Sequence, residues 1–194
     1  MKYFCGYGGT TSREEDFVSV FVCFVIVPCW VYKGIFYSTF VTDGDTGMKY
    51  SEARQGRVFI VRLEDGEIVH EVIEKFAVDH NISAASLIVV GGADDGSTLV
   101  VGPESDRDLP LQPMQRVLKN AHEVAGTGTL FCDSEGTPLL HMHMACGRQD
   151  ETITGCIRSG VKVWRIMEVI IQELLDTEAK RVMEAPLDLK LLHP

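Results

Sequence analysis

The residues best suited to chemistry in this chain are His141 and His143, in the run Leu140-His141-Met142-His143-Met144, and Cys156, thirteen residues after the second histidine in Thr154-Gly155-Cys156. On a β-strand, residues i and i+2 share a face, so the two imidazoles project side by side while Leu140, Met142 and Met144 take the other face. Two close imidazoles with a thiol returning on the next strand suit a transition-metal site of three protein ligands and one open position. The competing reading is structural. A His-x-His pair can be two half-buried imidazoles bonded to backbone or water, and a free cysteine is often a small buried hydrophobe. Cys146 stands at an odd offset from His143, so on a strand it faces away from both histidines and is left out of the site.

These donors need strands and turns to hold them. Arg57 to Leu63 alternates polar and apolar residues and is predicted to be a strand closed by Glu64-Asp65-Gly66. Ile68, Val72, Ile73, Phe76 and Ala77 recur at helical spacing, which predicts an amphipathic helix from Glu67 to His80, with Glu67 and Glu71 near its N-terminus and Asn81 just past its end. His70 and His80 are expected on its solvated side. Ala85 to Val90 is a buried strand stopped by Gly91-Gly92, and Ser97 to Val101 follows the Asp94-Asp95-Gly96 turn. Gly91-Gly92 lacks the lysine and spacing of a phosphate loop and is taken as a turn or bulge. Pro103 to Pro113 is expected to be a surface loop covering a sheet edge. His122 to Phe131 and Pro138 to Gly147 flank Cys132-Asp133-Ser134-Glu135-Gly136-Thr137 as a hairpin, and Lys162 to Leu174 is the final strand. Six strands and one long helix give an expected α+β domain with a mostly antiparallel sheet.

The run Leu140-His141-Met142-His143, Gly147-Arg148-Gln149-Asp150, Thr154-Gly155-Cys156, Gly160 and Glu168 resembles the core signature of the plant and prokaryote conserved (PPC) domain, also called domain of unknown function 296. Upstream, Gly56-Arg57-Val58-Phe59-Ile60-Val61-Arg62-Leu63, the following helix and Ile88-Val89-Val90-Gly91-Gly92-Ala93 extend the similarity, which spans residues 48 to about 192. The resemblance implies an α+β PPC-like fold, a homotrimer with pockets near subunit boundaries, and a three-histidine metal site similar to that of acetolactate decarboxylases. This chain departs from the family by having Thr154-Gly155-Cys156 where Gly-Gly-His is more usual. The donor set becomes two nitrogens and one sulfur, which favours zinc over harder divalent metals such as manganese or magnesium.

Length and composition set the bounds. The chain has 194 residues, 45% of them apolar, enough for a real core in one or at most two domains. Its formal charge is −10. From Met48 onward 15 Lys and Arg face 23 Asp and Glu, a balance of −8. An acidic domain repels a phosphate backbone at long range. Six cysteines without framework spacing suggest free thiols in a reducing, cytoplasmic setting. Residues 1–47 are read as an extension outside the domain, upstream of a start at Met48, with the domain occupying 48–194. Phe17 to Tyr32 is uncharged, but it is only sixteen residues long and is interrupted by Pro28, short of a membrane span. Arg13-Glu14-Glu15-Asp16 does not suit a signal peptide. A membrane-associating hairpin or an added β-ribbon are the alternatives for this segment.

Three functions are open at this stage. The first is a metal-dependent protein acting on or sensing a small polar ligand, with Glu168, Asp150 or Arg148 supplying acid, base or anion recognition. Each of these three also has an ordinary reading, as a solvent-facing ladder residue or a turn former. The second is a DNA-associated regulator, since many relatives carry that label, although the chain has no Arg-Gly-Arg-Pro AT-hook and no basic run. The third is a structural trimer in which the site only staples the fold.

Overall fold

The computed structural model describes residues 47–194; the readings of residues 1–46, including the Phe17 to Tyr32 segment, lie outside the described residues. Eight strands form one sheet in the order β1-β8-β2-β5-β6-β7-β3-β4, and a separate two-stranded ribbon pairs β9 with β10. Their ranges are β1 Arg54–Glu64, β2 Ala84–Ala93, β3 Thr98–Pro103, β4 Pro113–Val117, β5 His122–Cys132, β6 Pro138–Arg148, β7 Glu151–Cys156, β8 Val163–Leu175, β9 Lys180–Glu184 and β10 Leu189–His193. Every ladder is antiparallel.

Among the described residues the single α-helix, α1, spans Val69–Asp79, and a 3-10 turn covers Ile157–Ser159. The expectation of an α+β domain with one long helix is therefore corrected: the fold is dominated by antiparallel sheet, with one helix of 11 residues. The helix is shorter than its apolar period because Ile68 is still extended and bridges to Lys162. At the other end Asn81 takes the left-handed conformation (φ 55°), and the Ile82 N–H donates to the Ala77 carbonyl at 2.8 Å. The expected count of six strands is also too low. Strand β8 is followed by the β9–β10 ribbon, so it is not the last strand.

Sheet alternation creates two unlike faces. One packs under α1, whose Val69, Ile73 and Ala77 are buried against Leu63, Leu87, Val89, Met142, Met144, Met167, Val169 and Ile171. The other face carries Val58, Ile60, Ile88, Val90 and Ile166 exposed, at 50%, 85%, 58%, 53% and 43%. Large aliphatic side chains left in water on neighbouring strands mark a surface suited to association.

Two local devices keep the sheet in register. Strand β2 runs through Gly91-Gly92 to Ala93, and its ladder with β8 shifts between the two glycines. A Cβ at Gly91 would meet the Ile166 carbonyl oxygen at 2.6 Å, and one at Gly92 would meet the Trp164 ring at 2.7 Å, so the pair permits close strand approach. The β5–β6 hairpin is tied by Asp133, whose Oδ1 accepts the Glu135 and Thr137 N–H groups, both at 3.0 Å.

Candidate metal centre

Strand β6 sets the two histidines. Leu140, Met142, Met144 and Cys146 are 4%, 1%, 0% and 0% exposed, which fixes the opposite parity outward. His141 and His143 lie on the open face, their ring centroids 5.0 Å apart and nearly perpendicular at 82°. Burial in apolar packing pushes the Cys146 thiol up to about 11. Such a thiol is a core residue, and it faces away from the histidines.

Strand β7 brings the third donor. His143 pairs with Cys156 across the β6–β7 ladder, and Cys156 in turn pairs with Val100 of β3. Directly opposed residues hold their Cβ atoms roughly 4.5–5.5 Å apart, so the thiol lands beside the imidazole by register alone. One ligand atom from each of His141, His143 and Cys156 lies within 4.8 Å of the others. Around a tetrahedral zinc the donors stand roughly 3.3–3.8 Å apart, a closure within reach of side-chain rotation. The two histidines are exposed and Cys156 half-buried, and these three are the one such cluster among the described residues. The donor set therefore fits a three-ligand site with an open position toward solvent.

Electrostatics favour the neutral, ligand form of one imidazole. The pKa of His141 is lowered, first by burial and then by the charges of Arg181, His143 and Arg158. The two arginines were not singled out in the sequence. Arg158 sits in the 3-10 turn two residues after Cys156, a proximity the sequence does display. Arg181 comes from β9 and is 4% exposed. Its Nη2 donates to Thr129 Oγ1 at 3.1 Å, and Thr129 is the direct β5 partner of His141. Burial lowers the Arg181 pKa most, Arg158 lowers it further, and Cys156 acts in the opposite sense.

The other candidates stand elsewhere in the chain. Glu168 is exposed on β8, paired with Arg62 and Val90. Strands β2 and β5 separate it from β6, about 14 Å at the usual strand spacing. Arg148 ends β6, roughly 17 Å along the strand from His143, and donates from Nη1 to the Ala121 carbonyl at 2.7 Å. Asp150 is exposed in the β6–β7 turn.

A family model described as the Plants and Prokaryotes Conserved (PCC) domain matches residues 50–175. Among solved structures, a metal-containing protein, AF0104 from Archaeoglobus fulgidus, is 23% identical with a TM-score of 0.64, covering 74% of this chain and 98% of its own. A plant- and prokaryote-conserved (PPC) protein from Pyrococcus horikoshii is 20% identical with a TM-score of 0.62, covering 74% and 97%. A "Putative DNA-binding protein" from Ralstonia eutropha JMP134 is 21% identical with a TM-score of 0.55, covering 69% and 88%. At these identities the likeness is one of fold. No curated protein matches the chain.

Proposed function

The chain belongs to the Plants and Prokaryotes Conserved domain family, and from that premise we propose that it is a metal-binding member holding a zinc-type ion at His141, His143 and Cys156. One coordination position is left for a small polar ligand, and the chain assembles as a homotrimer. The observation that carries this reading is the convergence of two imidazoles and a thiol within 4.8 Å on a solvent-facing sheet surface. A thiolate with two imidazoles is a donor set that zinc prefers, and a zinc ion with an open position polarises a carbonyl or activates water. The description of the Archaeoglobus relative as metal-containing agrees with a metal in this fold.

Self-association rests on the aliphatic surface of Val58, Ile60, Ile88, Val90 and Ile166, which shares its sheet face with the histidines. Within one chain, Glu168, Asp150 and Arg148 stand away from the three donors, so an acid, base or anion-binding role for them at this centre calls for a second copy. Among the described residues no helix is long and apolar enough to cross a membrane. Cys132, Cys146 and Cys156 are free thiols, which supports a reducing, cytoplasmic setting.

Elemental analysis of the purified protein tests the metal, with about one zinc equivalent per chain expected. Replacing His141 and His143 together by alanine is expected to remove it. Unchanged metal content in that double variant would refute the assignment. Sedimentation equilibrium tests the trimer, which a monomer mass at micromolar concentration would exclude.

A second reading, a DNA-associated regulator or oligomerisation module, is favoured by the names of the Ralstonia relative and of one from Bacteroides thetaiotaomicron, described in the same terms. The acidic balance weighs against direct contact with duplex DNA, since such affinity rests on several Lys or Arg neutralising phosphates.

A further inference from the structure

Among the described residues, Arg181 is a buried cation without a counter-ion. It is 4% exposed, and none of the ion pairs among the described residues includes it or Arg158. Among the described residues its side chain makes one hydrogen bond, the neutral one to Thr129, and its Nε is buried with no partner. Asp133, which forms a backbone bridge with Arg181, has its carboxylate already engaged. Lys190 of β10 takes Oδ2 at 2.7 Å, and two backbone N–H groups take Oδ1. Leaving a guanidinium dry and unpaired is strongly unfavourable unless something anionic answers it.

Apart from the Cys156 thiol, the charges acting on Arg181 and His141 are cationic, in a chain whose formal charge is −10. Arg158 and Arg181 act on one another and on His141, with no carboxylate among the groups that shift either Arg181 or His141. A divalent ion on two neutral imidazoles and one thiolate would add a further positive charge. Arg181 also comes from the β9–β10 ribbon, beyond the 50–175 stretch that the family model matches. The ribbon pins itself through the Lys190–Asp133 pair, which holds Arg181 over the strand pair carrying Thr129 and His141.

We infer that this centre binds a small oxyanion, a carboxylate or phosphate group, placed between the open metal position and the guanidinium of Arg181, with Arg158 at the exposed rim. The inference rests on the metal reading above and names the class of ligand that the open position receives. A guanidinium presents a planar fork that matches two oxygens of such a group, and a neutral ligand would leave the buried charge unanswered. A phosphate keeps further oxygens for the metal, and a carboxylate offers it the second lone pair of a shared oxygen.

The test uses the full chain loaded with zinc, its Tm followed against sodium acetate, sodium phosphate and, as a neutral isostere, acetamide at constant ionic strength. At least one oxyanion is expected to raise Tm with saturation, acetamide is not, and Arg181→Gln is expected to weaken that binding at least ten-fold with zinc content unchanged. Arg181→Lys keeps the buried charge but loses the fork, and it carries the test with a smaller loss should the glutamine variant fail to fold. Preference for acetate or phosphate identifies the group. Absence of saturable binding of either up to roughly 10 mM, or equal affinity in wild type and both variants, overturns the inference. Failure of the protein to retain zinc, with Arg181-dependent oxyanion binding intact, would instead remove the metal reading and leave the anion site standing.

Discussion

Gly155→Ala is the substitution that probes most directly how the third donor is held. Gly155 is buried in β7 between Thr154 and Cys156 and faces the core, so its neighbour Cys156 faces the site. A Cβ there would stand 2.5 Å from the Val100 carbonyl oxygen, 3.0 Å from its carbon and 3.2 Å from Leu99 Cβ. Ordinary contact begins at 3.4 Å, so β7 and β3 must part by about 0.9 Å. The two strands are joined by the single register pair Val100–Cys156, and Leu99 is fully buried, so neither side yields cheaply. Overpacking of this kind costs about 1–3 kcal/mol. For a domain of this size that lowers Tm by roughly 2–4 °C per kcal/mol. The displacement also exceeds the roughly 0.5 Å tolerance of a positioned ligand set, so Cys156 leaves the geometry that His141 and His143 require. Thermal melting with and without a chelator, alongside elemental analysis, reads both effects. Gly147→Ala is the control, because a Cβ at Gly147 meets nothing closer than 3.6 Å. Full zinc content and an unchanged Tm in Gly155→Ala would refute the claim that this glycine sets the position of Cys156.

Other outcomes are expected from the same structure. Glu173, 5% exposed, accepts the Arg57 fork at 2.6 and 2.7 Å, and the guanidinium holds its carboxyl down at about 2, against an ordinary 4.5. A depressed folded value means stability that is present above pH 4.5 and lost as pH falls toward 2. The difference corresponds to at most about 3 kcal/mol, and about 2 kcal/mol once screening of the half-exposed Arg57 is allowed for. Urea unfolding at pH 7 and pH 3 should show Glu173→Gln losing this increment at pH 7 and about two-fifths of it at pH 3, where the folded carboxyl is still mostly ionised; an unaltered pH profile would contradict the pairing. Duplex DNA is expected to bind no tighter than micromolar at about 150 mM salt, and a submicromolar dissociation constant in a gel-shift series would show that folding gathers a basic patch. A chain beginning at Met48 is expected to load as much metal as the full chain and to be more soluble, and insolubility of the shortened chain would show that residues 1–47 belong to the fold.

What the sequence determined by itself is what has a local physical cause. The alternation through Leu140, Met142, Met144 and Cys146 places His141 and His143 together on the opposite face, because a strand has period two and one face is buried. The turn residues after Cys132 mark the β5–β6 hairpin, Asn81 marks the end of α1, and Gly91-Gly92 marks a bulge, each through the conformational preference of single residues. Strand β4 left no such trace, since all five of its residues are exposed and no alternation distinguishes it from a loop. Helix α1 is shorter than its apolar period because Ile68 shares that period yet is held extended by a bridge to Lys162, a partner far along the chain. Only the tertiary structure decided that β7 lies beside β6 in the register that sets Cys156 against His143. It alone brings Arg181 from the ribbon over the same strands. Periodicity and turn preference act between residues a few positions apart, whereas strand order and register are settled by which distant segments bury one another best, and that competition is decided by the folded chain as a whole.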